Sequence, residues 1–143
     1  MNIIYTLRSK KIKTQEIPKW GAYLRKRWEE EFVHHLSADE KKSIMLHDAG
    51  GACGYLWHIF SYEKKECLKE KEAQIAFNQE RKESCYIFFQ HLDFALLVEN
   101  AALLTAEDLF NESDIYVTDK EFNWTYVNTH ERDWCGPYFS RKK

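Results

Sequence analysis

Glycine and proline are scarce in this chain, five and two residues, and neither forms a repeat or a linker. Long apolar runs are missing too: none approaches the roughly 20 residues that a membrane helix needs. The four cysteines, Cys53, Cys67, Cys85 and Cys135, contain no C-x-x-C pair. The start of the chain, Met1 to Lys13, carries basic side chains but no apolar stretch of the kind found in a secretory leader. These absences exclude collagen-like and low-complexity chains, and they point to a cytoplasmic protein with reduced thiols and no membrane partner. What is present is aromatic. Phe 9, Trp 5 and Tyr 8 make up 15% of 143 residues, although mean hydropathy is −0.63 and 31% of side chains are charged. Disordered chains are poor in aromatics, so a single domain with an ordinary core remains.

The net charge of −2 hides a polarity. Residues 1–27 carry eight basic side chains and one acid, whereas residues 91–133 carry ten acids and two basic groups. Such a distribution either cancels within the fold or steers a charged partner. On the second reading Asp114, Asp119 and Glu121 form an acidic surface for a protein with a basic face. A second copy of the chain could supply that face through its basic N-terminal helix. The basic segment beside Trp20 and Tyr23 also suits nucleic acid, but a pI of 6.3 speaks against it.

Along the chain, residues 1–17 are expected to be a basic arm or edge strand, 18–140 a single domain and 141–143 a loose basic tail. Pro18 opens a helix whose Trp20, Leu24, Trp28, Phe32 and Leu36 recur every four residues. Ser37 to Glu40 is a capping box for a short second helix. Tyr55–Tyr62 reads as a central strand with apolar side chains on both faces, and Glu63–Gln79 as a solvent-facing helix. Cys85–Gln90 and Phe94–Glu99 form a hairpin, and Thr105 caps a short helix. Asp114–Asp119 and Phe122–Thr129 form a second hairpin, with Phe122, Trp124 and Tyr126 on an aromatic face opposite a more polar one. The aromatic tail docks on the body. The expected fold is α+β: a mainly antiparallel sheet of about five strands with helices packed on it.

Recognisable chemistry is thin. The glycine-rich stretch His47–Gly54 lacks the phosphate-loop pattern and leads into an expected strand rather than a helix N-terminus, so it reads as an ordinary turn. Candidate metal donors are His34, His35, His47, Asp48, Cys53, His58, Cys85, His91, His130, Glu131, Asp133 and Cys135. None of them falls into a C-x-x-C, H-x-x-x-H or H-E-x-x-H spacing, so neither a metal nor another cofactor is assigned. No G-x-S-x-G elbow occurs, and no catalytic residue is assigned. The segment most like a site is the end of the last hairpin, where His130, Glu131 and Asp133 lie between Trp124 and Trp134. His58 joins them as a candidate binding residue. The alternative is that these residues cap and seal the core.

Six stretches resemble a small bacterial family classed only as a domain of unknown function. They are Ile17-Pro-Lys-Trp-Gly with Tyr23-Leu-Arg-Lys, Leu56-Trp-His-Ile-Phe-Ser-Tyr-Glu-Lys, Asp119-Lys-Glu-Phe-Asn-Trp-Thr-Tyr-Val, Thr129-His-Glu and Gly136-Pro-Tyr-Phe. The resemblance spans residues 16–140 and implies no activity or cofactor. The aromatic strand running into Thr129-His-Glu also looks like small immunity-type proteins that neutralise bacterial toxins. The sequence therefore favours a non-catalytic interaction module, immunity-like in kind. The alternatives are a small-molecule site or minor enzyme around His130 and Glu131, and a nucleic-acid-binding arm.

Overall fold

The computed structural model describes residues 2–131 and 134–142. Its centre is a seven-stranded, wholly antiparallel sheet in the order β1-β4-β3-β5-β6-β7-β2. The strands are β1 (Lys13–Glu16), β2 (Leu68–Lys69), β3 (Cys85–Phe89), β4 (Ala95–Glu99), β5 (Ile115–Asp119), β6 (Trp124–Asn128) and β7 (Tyr138–Arg141). The helices are α1 (Asn2–Ser9), α2 (Gly21–Phe32), α3 (Ala38–Ser43), α4 (His58–Ser61) and α5 (Glu70–Gln79). Two 3-10 turns, Ala101–Leu103 and Ala106–Leu109, follow β4.

Because side chains alternate along a strand, the sheet has two apolar faces, and each is covered. On one face Ile87, Val98, Val117, Trp124 and Tyr126 meet α1, α5 and the 3-10 turns. On the other, Phe88, Tyr116, Val127 and Tyr138 meet α2, α4 and the segments around Ile44 and Leu56. Trp28 anchors this second layer, with ring centroids 5.1 Å from Phe32, 5.9 Å from Phe60 and 5.3 Å from Tyr116. Its indole N–H donates to Thr125 Oγ1 at 2.8 Å, and that hydroxyl donates to the Val117 carbonyl at 3.0 Å. Truncating so enclosed an aromatic costs about 3–5 kcal/mol.

Several expectations hold, and others are corrected. Both hairpins are present, the Ser37–Glu40 capping box closes, and Thr105 caps the second 3-10 turn. Four of the five expected strands are present, and β1, β2 and the tail strand β7 extend the sheet on both sides to make seven. Residues 2–9 are helical, since Ile3 and Leu7 fall one turn apart on the buried side; within 1–17 the edge strand is confined to Lys13–Glu16. Helix α2 begins at Gly21, after Pro18 has served a turn. The segment 55–62 is a turn followed by α4. Leu56, Trp57, Ile59 and Phe60 are its buried residues, a helical spacing that an all-apolar segment does not distinguish from a covered strand. The second face of β6 is as buried as the aromatic one. Arg141 lies in β7 and the Lys142 N–H donates to the Asn123 carbonyl at 2.8 Å, so these two residues are docked.

Part of the charge polarity is paired between the two segments. Lys10 reaches Asp108 at 2.8 Å, Lys13 reaches Glu99 at 3.8 Å and Arg25 reaches Asp93 at 3.8 Å. Each pair joins the basic N-terminal segment to the acidic C-terminal one. No helix among the described residues is long and apolar enough to cross a membrane.

Candidate functional site

Antiparallel pairing brings the end of β3, the start of β5 and the end of β6 to one end of the sheet, where Phe89 pairs with Ile115 and Ile115 with Asn128. The segment 47–57 packs over that end and contributes Tyr55 and Trp57. Tyr116 is fully buried in β5, and burial pushes its phenol well above the ordinary value, so it stays protonated. Its hydroxyl donates to Gln90 Oε1 and accepts the Trp57 N–H at 3.2 Å. Gln90 Oε1 also accepts the Leu56 N–H at 2.9 Å. This network fixes the 55–57 turn against β3 and β5 and so positions the two rings.

Tyr55 is the hub of the site. Its ring stacks on Trp57 at 5.1 Å and lies 5.4 Å from His58, 5.4 Å from His91 and 5.1 Å from His130. Trp57 in turn lies 4.8 Å from His58 and 5.9 Å from His130. Three of the six histidines thus converge from α4, the β3–β4 turn and the end of β6. A fourth, His47, sits nearby at the root of the glycine loop and donates to Glu29 at 2.6 Å. Burial raises the Glu29 pKa, but the bonds from Lys41 and His47 outweigh it and hold the carboxyl below its ordinary value.

Hydrogen bonding sets the tautomers. Asp114 Oδ1 accepts the Trp57 indole N–H at 2.9 Å, the His130 backbone N–H at 3.2 Å and the His130 ring at Nδ1, 3.0 Å away. An ionised carboxylate can only accept, so Nδ1 carries the proton and Nε2 of the neutral ring presents a lone pair. His58 repeats the arrangement, with Nδ1 2.9 Å from the Met45 carbonyl. Both rings therefore offer Nε2 as an acceptor beside an aromatic surface.

The residues singled out in the sequence are distributed unevenly about this group. His58 and His130 are brought together, and Asp114, read as part of an acidic surface, is the buried-side anchor of His130 with its side chain 15% exposed. Trp124 is not part of the group: it packs between Phe77 and Phe139 in the core layer on the other face of the sheet. Glu131 is exposed, and its carbonyl closes the tail turn by accepting the Trp134 N–H at 2.7 Å. Trp134 is 87% exposed, and Asp133 lies outside the described residues. Asp119 and Glu121 sit at the opposite end of β5, roughly 15 Å from Asp114 at strand rise. Tyr55, Trp57 and Gln90 also belong to the site, and the sequence does not single them out, because aromatic rings in an apolar segment and a lone amide carry no spacing signal.

A cleft of about 460 Å³ adjoins the cluster, walled by Arg25, Glu29, His47, Asp48, Gln90 and His91. A larger groove of about 790 Å³ runs between residues 63–69 and β7, away from the histidines. Its Cys67 thiol is pushed up by burial, which favours the protonated form. The smaller cleft, with its convergent polar groups, is the better candidate despite its size.

Residues 1–139 match the family described as Domain of unknown function (DUF4275), and the chain belongs to that family. No curated protein and no solved structure matches it.

Proposed function

We propose that this chain, whose family brings no activity with it, binds a small polar ligand at the histidine and aromatic end of its sheet, with His130 as the proton acceptor that holds it. The observation that carries the reading is the engagement of His130 Nδ1 by Asp114, which is itself anchored by the Trp57 indole. A carboxylate behind an imidazole fixes both tautomer and orientation, and such arrangements serve recognition and proton transfer. His58 adds a second Nε2 in the same state, and Tyr55 offers a ring face between them. A ligand with N–H or O–H donors and a planar body fits these three features together.

The test is a thermal-shift screen of a panel of small polar metabolites against the wild type and the His58→Ala/His130→Ala double variant. A compound that raises the wild-type melting temperature and leaves the double variant unmoved supports the site. Stabilisers that act equally on both proteins, or a panel with no stabiliser, overturn it.

The reading as a protein-interaction module keeps one observation in its favour, and it is aromatic rather than electrostatic. Trp20 and Tyr23 are 43% and 50% exposed, their rings are 5.4 Å apart, and Trp20 lies 6.1 Å from Tyr86. Exposed, clustered aromatics of this kind are common at contact surfaces. Light scattering of the wild type against Trp20→Ala/Tyr23→Ala checks whether a second copy occupies it. A monomer in both cases removes self-association.

A further inference from the structure

We propose that Asp48, Cys53 and His91 form a binding site for a divalent transition ion of zinc type, with a coordination position left open beside the cleft. The donor atoms of the three side chains all lie within 4.8 Å of one another. His91 Nε2 and Asp48 Oδ1 are 3.5 Å apart. That is long for a hydrogen bond, but two ligands on one tetrahedral zinc, each about 2.0–2.1 Å from the ion, stand about 3.3–3.5 Å from each other.

The backbone sets up the meeting. Ala49 and Ala52 exchange N–H···O bonds of 3.0 and 2.9 Å around Gly50 and Gly51, whose φ values of 58° and 84° belong to a left-handed turn. A two-residue turn of that kind needs positive φ at both central positions, which is why glycine fills them. The residues flanking the bridge, Asp48 and Cys53, then stand opposite each other with side chains on one face. Gly54 closes the loop: its N–H donates to Asp48 Oδ1 at 2.7 Å, and a Cβ there would lie 2.2 Å from the His47 carbonyl carbon. The β3–β4 turn supplies His91.

The donor set selects the ion. Thiolate and imidazole suit zinc and its neighbours, whereas calcium and magnesium take oxygen ligands. Three protein donors leave a fourth position for water or a ligand, as catalytic rather than structural zinc sites do. Asp48 and His91 also line the 460 Å³ cleft, so that position has room beside it. Binding releases the Cys53 proton. Linear spacing concealed the set, since its members stand at 48, 53 and 91.

This inference does not depend on the ligand reading of His130, and its test keeps the two apart. Chelator-treated protein is titrated with Co²⁺, read by cobalt–thiolate charge-transfer absorption, and then with Zn²⁺ by calorimetry. The expected result is one equivalent bound, loss of the charge-transfer band in Cys53→Ser, and at least about a tenfold weaker affinity in His91→Ala. Circular dichroism checks that both variants fold; the two side chains are exposed. His58→Ala/His130→Ala and His34→Ala/His35→Ala are expected to bind zinc as the wild type does. The proposal is overturned by a Zn²⁺ dissociation constant weaker than about 10 μM, by a cobalt spectrum without thiolate character, or by binding that follows His34, His35, His58 or His130 instead.

Discussion

Asp114 and Asp119 bracket the same strand, yet they do different work. Asp119 accepts from Asn123 N–H at 2.6 Å, Asn123 Nδ2 at 2.9 Å and Trp124 N–H at 3.2 Å, so its partners lie within five residues. It shapes the β5–β6 turn. Asp114 gathers Trp57 and His130, 57 and 16 residues distant in sequence, and it does so at φ 52°, a conformation that Asp tolerates better than most residues. A carboxylate satisfied by its own turn is structural. One that draws donors from separate elements marks the point where those elements converge.

Removing each aspartate sharpens that contrast. Asp114→Ala strands the indole N–H of a Trp57 that is 1% exposed, and it places Ala at a positive φ. The expected loss is about 2–4 kcal/mol by urea unfolding. Asp114→Asn keeps an acceptor and tolerates the backbone, so it is expected to lose less than half as much; equal losses would show that charge rather than the hydrogen bond matters. Asp119→Ala removes exposed turn bonds and is expected to cost about 1 kcal/mol. With the two sites at opposite ends of β5, the double variant should equal the sum within about 0.5 kcal/mol. A larger deviation would mean that the ends communicate through the strand.

Smaller effects probe the surroundings of the cluster. His130→Ala removes one partly exposed hydrogen-bond donor to Asp114 and is expected to cost under about 1 kcal/mol, so any loss of ligand response in it reports on binding rather than unfolding. Glu29, held below its ordinary pKa by Lys41 and His47 despite burial, contributes stability above the unfolded glutamate value of 4.5 and gives it up as pH falls through the lower folded value. Glu29→Gln should therefore be less stable than wild type near pH 7, and the gap should narrow between about pH 5 and pH 3 in denaturation series. A gap that stays constant over that range would remove Glu29 as the source.

Local chemistry was legible where the determinant sits within a few residues. The capping box at Ser37, both hairpins and the Leu24, Trp28 and Phe32 stripe of α2 follow from spacing alone. The segment 55–62 did not, because an apolar residue at nearly every position fits a covered strand and a buried helical turn alike. Of the site, His58 and His130 are legible as candidates; Trp124, expected beside them, lies on the opposite face from Val127, as period 2 requires. The Asp48–Cys53 pairing was half-written in Ala-Gly-Gly-Ala, a turn that sets its flanking residues face to face. The arrival of His91 there was not.

The sequence alone determined an aromatic α+β domain with little glycine or proline, an antiparallel sheet built from hairpins, and a chain with opposite charges at its two ends. Tertiary structure decided how those charges are used. It joins the basic and acidic segments through pairs such as Lys10 with Asp108, nearly a hundred residues apart. It also decided that histidines at 58, 91 and 130 share one tyrosine ring. The physical reason is range. Caps, turns and periodicity act over a few residues, whereas a site is assembled by strand pairing that spans most of the chain.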